Sequence, residues 1–537
     1  LSNGLDVILH EDHTIPIVAV NVWYHVGSKD EEIGRTGFAH LFEHVMFEGS
    51  KNHNKDYFEP LQRIGGNING STTNDRTNYW EDLPSNYLPL ALWLESDRMG
   101  FLLDALDEER FDLQRDVVKN ERRQSYENRP YGMAHLKLQE ALFPLPHPYN
   151  WPTIGSQEDL DSATLKDVQD FFRSYYSPSN ASITIAGDID HNEAYDQVEK
   201  YFGGLEPGPS VDRFQRMGSG LQGKTIIEME DSVQLPRLYL AWPSSPDFTE
   251  RQAALDMLSI ILSDGRSSRL NNELVYESNI AHEIRAFHHG QEIAGEFHIT
   301  ATAAPDNTLE SIENVIWANL DKISSDPPSE SEMERARNRV QNYQVRQLEK
   351  IGGFGGRADQ LNYYNVLGKD PSLINTDLDR YMAVTPQQIA SAASSLNQTH
   401  VRLTVIPSAS NTSTSISSSF DRKKAPSKSG EVSFTPPVPE KSELANGTKI
   451  LLVHKPNLPI TSVGLLLKTG AMNDPHDSPG LAKFTTDMLV EGTSSKTSYQ
   501  IADEIEFLGS QLSKDVAREY TILSVSGLSI HLEKEAG

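Results

Sequence analysis

The stretch Gly37-Phe38-Ala39-His40-Leu41-Phe42-Glu43-His44-Val45-Met46-Phe47 decides how this sequence is read. On a helix, His40 and His44 sit one turn apart on one face. Two neutral imidazoles so placed can reach a single divalent ion at roughly 2.0–2.1 Å. Glu43, beside the second histidine, can miss such an ion and still reach a water on it, where a hydrolytic general base belongs. Phe38, Leu41, Phe42, Val45 and Met46 supply an apolar face, so one side of the helix is expected to be buried. The same residues also fit a plain amphipathic helix with two polar-face histidines. A catalytic zinc needs a third protein ligand.

The next long helical pattern covers 108–127, with Leu113, Val117 and Val118 as its expected buried stripe. Glu121 lies in it, 77 residues after His44. Around it stand Asn120, Arg122 and Arg123, then Tyr126-Glu127-Asn128-Arg129-Pro130. The combination resembles the pitrilysin-like (insulinase-type, M16) zinc peptidases, the inverted zincins. The resemblance implies one zinc ion per chain, held by His40, His44 and Glu121, with Glu43 as the base. Many members carry another glutamate two helical turns before the third ligand. Here Gln114 stands at that position, either as a solvated helix residue or as a hydrogen-bonding support that adds no charge.

The composition narrows the alternatives. Cysteine is absent, which excludes disulfides, thiolate metal sites and cysteine nucleophiles, and leaves nitrogen and oxygen ligands. A net charge of −28 argues against nucleic acid as a partner. No apolar run approaches the roughly 18–20 residues of a membrane span. A long cysteine-free chain fits a bacterial exported protein, so the periplasm or another extracytoplasmic compartment is expected. The sequence opens at Leu1 without a signal peptide, and an upstream segment is expected to be missing.

Read in order, 5–10 and 17–26 alternate like two strands, and 57–64 reads as a helix. A strand, a tight turn and a strand follow over 65–83. The resemblance implies that the first of these is a sheet edge beside the zinc. A substrate peptide would add to it as an extra strand at Asn69, Gly70, Ser71 and Thr72. Helices are expected over 87–102, 132–142, 162–175 and 191–202, and a strand over 181–186. His147, in a Pro-rich loop, is read as structural.

The opening then recurs. Pro236 falls 220 residues after Pro16 between two further strand patterns, but no His-x-x-Glu-His follows it. Gly265-Arg266-Ser267-Ser268-Arg269-Leu270 resembles a segment common in the family's second domain. His288-His289 lacks helical spacing and a nearby acidic ligand, and is read as strand or turn. A third copy appears at a shift of 443 residues, where Asn446-Gly447, Pro459, Gly470 and Gly480 match Asn3-Gly4, Pro16, Gly27 and Gly37. Lys483 and Asp487 replace the histidines and Thr486 the glutamate, and an ammonium group repels a cation.

These readings predict an α+β fold of repeated units of about 220 residues, each a mostly antiparallel sheet packed with helices. Residues 1–208 form the zinc-binding catalytic domain and 224–407 a second domain without metal. Residues 408–440 form a flexible linker, and 441–537 a partial, degenerate third domain that should expose an apolar face. The resemblance implies a zinc-dependent endopeptidase acting on peptides or unfolded polypeptide. It also implies a two-half shell cut short in its second half, monomeric and a poor peptidase in this form. The competing reading, from another class, is a non-catalytic scaffold or peptide-binding subunit.

Overall fold

Alternating apolar residues at Val18, Val20, Val22 and Tyr24 put one face of a strand into a core, and the rest of the first unit is built around it. The computed structural model describes residues 1–396, 399–408, 438–454 and 458–532. Strands β1 (Asp6–Glu11), β2 (Ile17–Tyr24), β3 (Asn67–Thr72), β4 (Thr77–Pro84) and β5 (Ala181–Gly187) form one sheet in the order β1-β5-β2-β4-β3. Only the β1–β5 pair among these is parallel. The expected edge strand, β3, does lie at the edge. Helices α1 (Phe38–Val45), α2 (Phe58–Arg63), α3 (Leu88–Phe101), α4 (Glu108–Arg122), α5 (Gly132–Leu142), α6 (Gln157–Ser162), α7 (Leu165–Tyr175) and α8 (His191–Phe202) accompany it. The single helix expected over 162–175 is instead two, α6 and α7. Thr164 ends the extended break between them by accepting the Asp167 N–H as an N-cap.

The second unit repeats the plan. Strands β6 (Thr225–Asp231), β7 (Arg237–Ser244), β8 (Ala281–Gly290), β9 (Gly295–Ala303) and β10 (Val401–Pro407) are ordered β6-β10-β7-β9-β8. Its helices are α9 (Glu250–Ser263), α10 (Leu309–Ser325), α11 (Glu330–Gln347), α12 (Arg357–Val366), α13 (Asp377–Met382) and α14 (Pro386–Ser395). His288 and His289 lie in β8, as read from the sequence, but each has an acidic neighbour that spacing does not show, Asp256 at 2.7 Å and Glu296 at 3.1 Å.

The two units exchange helices. Ala134, Leu138 and Leu142 of α5 pack with Tyr239, Ala241, Val401, Leu403 and Val405 of the second sheet. Reciprocally, α12 covers the first sheet. Ala358 joins Ala19 and Ala186, and Asn362 accepts from the Ser182 and Thr184 hydroxyls while donating to the Asn21 carbonyl. Each exchanged helix follows its own unit's long helix, α4 or α11, and closes a sheet face that would otherwise meet water.

The third copy contains β11 (Glu440–Glu443), β12 (Lys449–Leu452), β13 (Ile460–Leu467), α15 (Leu481–Met488), α16 (Ser498–Phe507), β14 (Gln511–Val516) and β15 (Thr521–Leu528). Its sheet β13-β15-β14 matches β2-β4-β3. The shift of 443 holds through α15 and then becomes 444 for β14 and β15, so one residue has been inserted between them. Among the described residues no strand stands where β5 stands in the first unit, and β12 pairs with β11 instead. Leu465, Leu466, Phe484 and Met488 are exposed, as expected for an uncovered apolar face. This unit docks on the second through Glu506 of α16. Its carboxylate accepts the Arg266 and Ser267 N–H groups at 2.7 and 3.1 Å and the Ser267 hydroxyl at 2.6 Å. The linker expected over 408–440 lies almost wholly outside the described residues.

Candidate metal centre

Helix α1 starts abruptly because Gly37 takes the left-handed conformation, φ +92°, which costs glycine little. The Glu31 carboxylate caps the start, accepting the Gly37 and Ala39 N–H groups at 2.9 and 2.8 Å. Phe38, Leu41, Phe42 and Val45 are buried in the core, which turns His40, Glu43 and His44 to the opposite side.

Helix α4 supplies the third group. Asp107 caps it by accepting the Arg110 N–H. Its buried residues are Phe111, Gln114 and Val118, whereas Leu113 and Val117 are exposed. Of the stripe read from the sequence, Val118 is buried and the other two residues are not. The face that packs follows the 111-114-118 spacing, and Glu121 continues it by three residues. Gln114 is not solvated: its Nε2 donates to Glu48 Oε1 at 2.6 Å, tying α4 to the end of α1. Past Glu121 the helix widens into a π turn, Arg123–Glu127. Arg122 Nη1 donates to the Gly155 carbonyl at 2.6 Å, and Gly155 packs against Gly37, so a second link joins α4 to the start of α1.

The three side chains converge. His40 Nε2 and His44 Nε2 lie 3.7 and 3.3 Å from Glu121 Oε2, and the two imidazoles stand nearly perpendicular. One ligand atom from each of the three residues fits within 4.8 Å of the others. Ligands at roughly 2.0–2.1 Å from a tetrahedral ion are about 3.3–3.5 Å apart, so a zinc-sized ion fits this trio. Two imidazoles and one carboxylate also form the donor set of a catalytic rather than a closed structural site. Burial and the neighbouring His44 lower the His40 pKa to about 4, which leaves a neutral ring. The hydrogen bond with His44 lowers Glu121, which keeps its carboxylate ionised.

Glu43 stands apart from the trio. Its Oε2 accepts the Thr72 hydroxyl at 2.6 Å, and burial raises its pKa above the ordinary carboxylate value against the effect of that bond. The side chain of Thr72 turns to Glu43, a contact that no sequence spacing signals. The backbone of β3 divides by parity. The Thr73 N–H donates to the Arg76 carbonyl, so alternation puts Ser71 and Asn69 in hydrogen-bonded pairs with Asn78 and Trp80. Gly70 and Thr72 direct their backbone groups to the free edge. His147 is buried and accepts the Tyr149 N–H, a structural role.

The second unit has the same helix without these groups. At a shift of 216 residues Ala254, Leu255, Met257, Leu258, Ile261 and Leu262 are buried where Phe38, Ala39, Leu41, Phe42, Val45 and Met46 are. Asp256, Ser259 and Ile260 then stand for His40, Glu43 and His44, and line a cavity of about 830 Å³.

Known proteins share this architecture. The family model described as insulinase (peptidase family M16) matches residues 6–146 and 449–535, and that of the peptidase M16 inactive domain matches 162–340. The zinc protease PqqE of Helicobacter pylori is 31% identical over 381 residues, covering 68% of this chain and 84% of that protein. A Bacillus subtilis protein described as an uncharacterized zinc protease, YmxG, is 25% identical over 69% of this chain and 88% of its own length. Among solved structures, a protease from Helicobacter pylori superposes with a TM-score of 0.70 at 26% identity, over 76% of this chain and 98% of that one. The periplasmic protease PqqL of Escherichia coli matches with a TM-score of 0.63 at 18% identity, over all of this chain and 64% of its own.

Proposed function

This chain belongs to the M16 (insulinase) peptidase family, and on that premise we propose that it is a zinc-dependent endopeptidase acting on peptides or unfolded polypeptide segments. The observation that carries the reading is the convergence of His40, His44 and Glu121 with Glu43 beside them. His40, His44 and Glu121 would hold the zinc. A zinc ion held there would supply Lewis acidity, lowering the pKa of a water from 15.7 toward about 7 and polarising a carbonyl. Glu43 takes the proton from the attacking water on its carboxylate and returns it to the leaving amine nitrogen. A carboxylate raised by burial is better matched to that exchange near neutral pH than an exposed one. The substrate would lie extended along β3, paired with the outward backbone groups of Gly70 and Thr72. Asn69 and Ser71 would contribute by keeping β3 in register with β4.

No helix among the described residues is long and apolar enough to cross a membrane. An extracytoplasmic location remains our reading from the absence of cysteine. The test of the activity is cleavage of an internally quenched extended peptide. It should stop with chelator and resume with zinc. Glu43→Gln should retain metal and lose about 10²–10⁴-fold in turnover. A chelator-insensitive rate, or near wild-type turnover in Glu43→Gln, contradicts the reading and favours a scaffold or peptide-binding role.

A further inference from the structure

An edge hairpin such as β3–β4 has one free side and frays unless something holds its turn and its faces. Here the turn over 73–76 is held through its backbone carbonyls and through the buried Asp75. Gly27 lies so close that a Cβ on it would fall 2.4 Å from the Thr73 and Asn74 carbonyl oxygens. Ser28 and Lys29 donate their N–H groups to those oxygens at 3.1 and 3.0 Å. The buried Lys29 donates its Nζ to the Asp75 carbonyl at 2.9 Å.

The second unit supplies the rest. Asp75, itself buried, accepts the Glu292 N–H on Oδ2 at 2.9 Å and the Tyr149 hydroxyl on Oδ1 at 2.6 Å. The same hydroxyl accepts the Ile293 N–H at 2.9 Å. Glu292 Oε2 lies 3.3 Å from Lys29 Nζ and 2.8 Å from His25 Nε2. On the sheet face turned to α12, Asp359 accepts from Trp23 Nε1 at 2.8 Å, Asn78 Nδ2 at 3.0 Å, Asn21 Nδ2 at 3.3 Å and the Gly355 N–H at 2.8 Å. Anchoring the Asn78 amide in this way aims its oxygen at the Ser71 hydroxyl, 2.7 Å away, and at Arg76 Nη1, 3.2 Å away. Arg76 also donates to the Ser71 carbonyl at 2.8 Å.

We propose that the second unit takes part in the reaction as the jig for this hairpin, with its Asp359 and the first unit's Asp75, which holds the 292–293 loop, as positioning residues that set β3 against Glu43. The proposal rests on the peptidase reading above. It gives the second unit a role that its lost metal ligands do not suggest. Without Asp359, Asn78 is free to turn its amide and Ser71 loses a fixed acceptor. Without the Asp75 carboxylate, the turn loses its only contacts with the loop at 292–293 among the described hydrogen bonds. In either case Thr72 and the outward backbone of Gly70 drift together, because they ride on the same strand. Displacements of about 1 Å at a reacting centre can cost roughly 10²-fold in rate.

The experiment compares the full chain with Asp359→Ala, Asp359→Asn and Asp75→Asn. It measures zinc content, amide hydrogen exchange over 67–84 and over 38–45, and steady-state cleavage of one extended quenched peptide. The expected result is unchanged zinc, exchange at least 10-fold faster in the hairpin but not in α1, and KM raised about 10-fold with a smaller fall in kcat. Asp359→Asn keeps one acceptor oxygen, so it should recover part of the loss. It also serves if Asp359→Ala fails to fold. Unchanged hairpin exchange and kcat/KM in all variants overturns the proposal while leaving the peptidase reading intact. Faster exchange in α1 together with zinc loss overturns it in favour of a general structural role. A wild-type chain that cleaves no peptide sinks the peptidase reading itself.

Discussion

Helix α1 and helix α15 are built alike and carry different outward side chains. Gly37 and Gly480 open them with φ of +92° and +93°. Glu31 caps the first through the Gly37 and Ala39 N–H groups, and Asp474 caps the second through those of Gly480 and Ala482. Each helix is eight residues long. The backbone instructions have survived the repeat, with aspartate in place of glutamate as the capping carboxylate. The outward side chains have not. His40 and His44 meet Glu121, whereas Lys483 and Asp487 meet each other as an ion pair at 2.5 Å. The lesson is that the residues that make this helix and the residues that give it chemistry are separate sets, and either can be kept without the other.

Exchanging the chemical set is the most drastic way to probe that separation. The double variant His40→Lys/His44→Asp should fold with α1 intact and hold no zinc. Cleavage should fall below detection. The reverse graft, Lys483→His/Asp487→His, should gain no stoichiometric metal, because among the described residues no carboxylate is placed there as Glu121 is in the first unit. Far-ultraviolet circular dichroism and elemental analysis decide both. A zinc-loaded reverse graft contradicts the claim that the third group is required.

Exchanging the packing set should show the converse. Leu41 is fully buried, and its counterpart Phe484 is 66% exposed. Leu41→Ala should cost about 2–5 kcal/mol, the usual range for a large-to-small change in a core. Phe484→Ala should lie within about 0.5 kcal/mol. Equal losses in denaturant melts would mean that the third unit's apolar face is covered in solution.

A smaller effect concerns Thr72. Its hydrogen bond favours the ionised form of Glu43, opposing the upward push of burial. Thr72→Val removes that support, so the Glu43 pKa rises further. A general base is active only when deprotonated, so with Glu43 in that role the acid limb of kcat/KM should move to higher pH. A limb that stays in place or moves down contradicts Glu43 as the group that sets it.

What the sequence made legible divides along similar lines. The i, i+4 histidines and the repeat glycines are local signals, and they placed α1, α15 and the antiparallel sheets correctly. Phase and partnership are not local. Leu113 and Val117 are as apolar as Val118, and only the packing of α4 against α1 selects Phe111, Gln114 and Val118 for burial. Chain order put α5 with the first unit and α12 with the second, yet each closes the other's sheet, because the long helix before it, α4 or α11, carries the chain across to the neighbouring unit. Gln114 could not be assigned without Glu48 in view, and a threonine on an edge strand gives no hint that its hydroxyl reaches Glu43. The Asp359 contacts with Asn21, Trp23 and Asn78 span more than 280 residues of sequence, beyond any spacing argument.

The central claim is that one unit of the repeat holds a metal and the other copies do not. Anomalous diffraction at the zinc edge, on crystals of the Glu43→Gln full chain, tests it most directly. The account predicts one peak per chain, roughly 2.0–2.1 Å from His40, His44 and Glu121, with none beside Asp256 or Lys483. A zinc-replete crystal with no peak at that trio, or with its peak elsewhere in the chain, would contradict it.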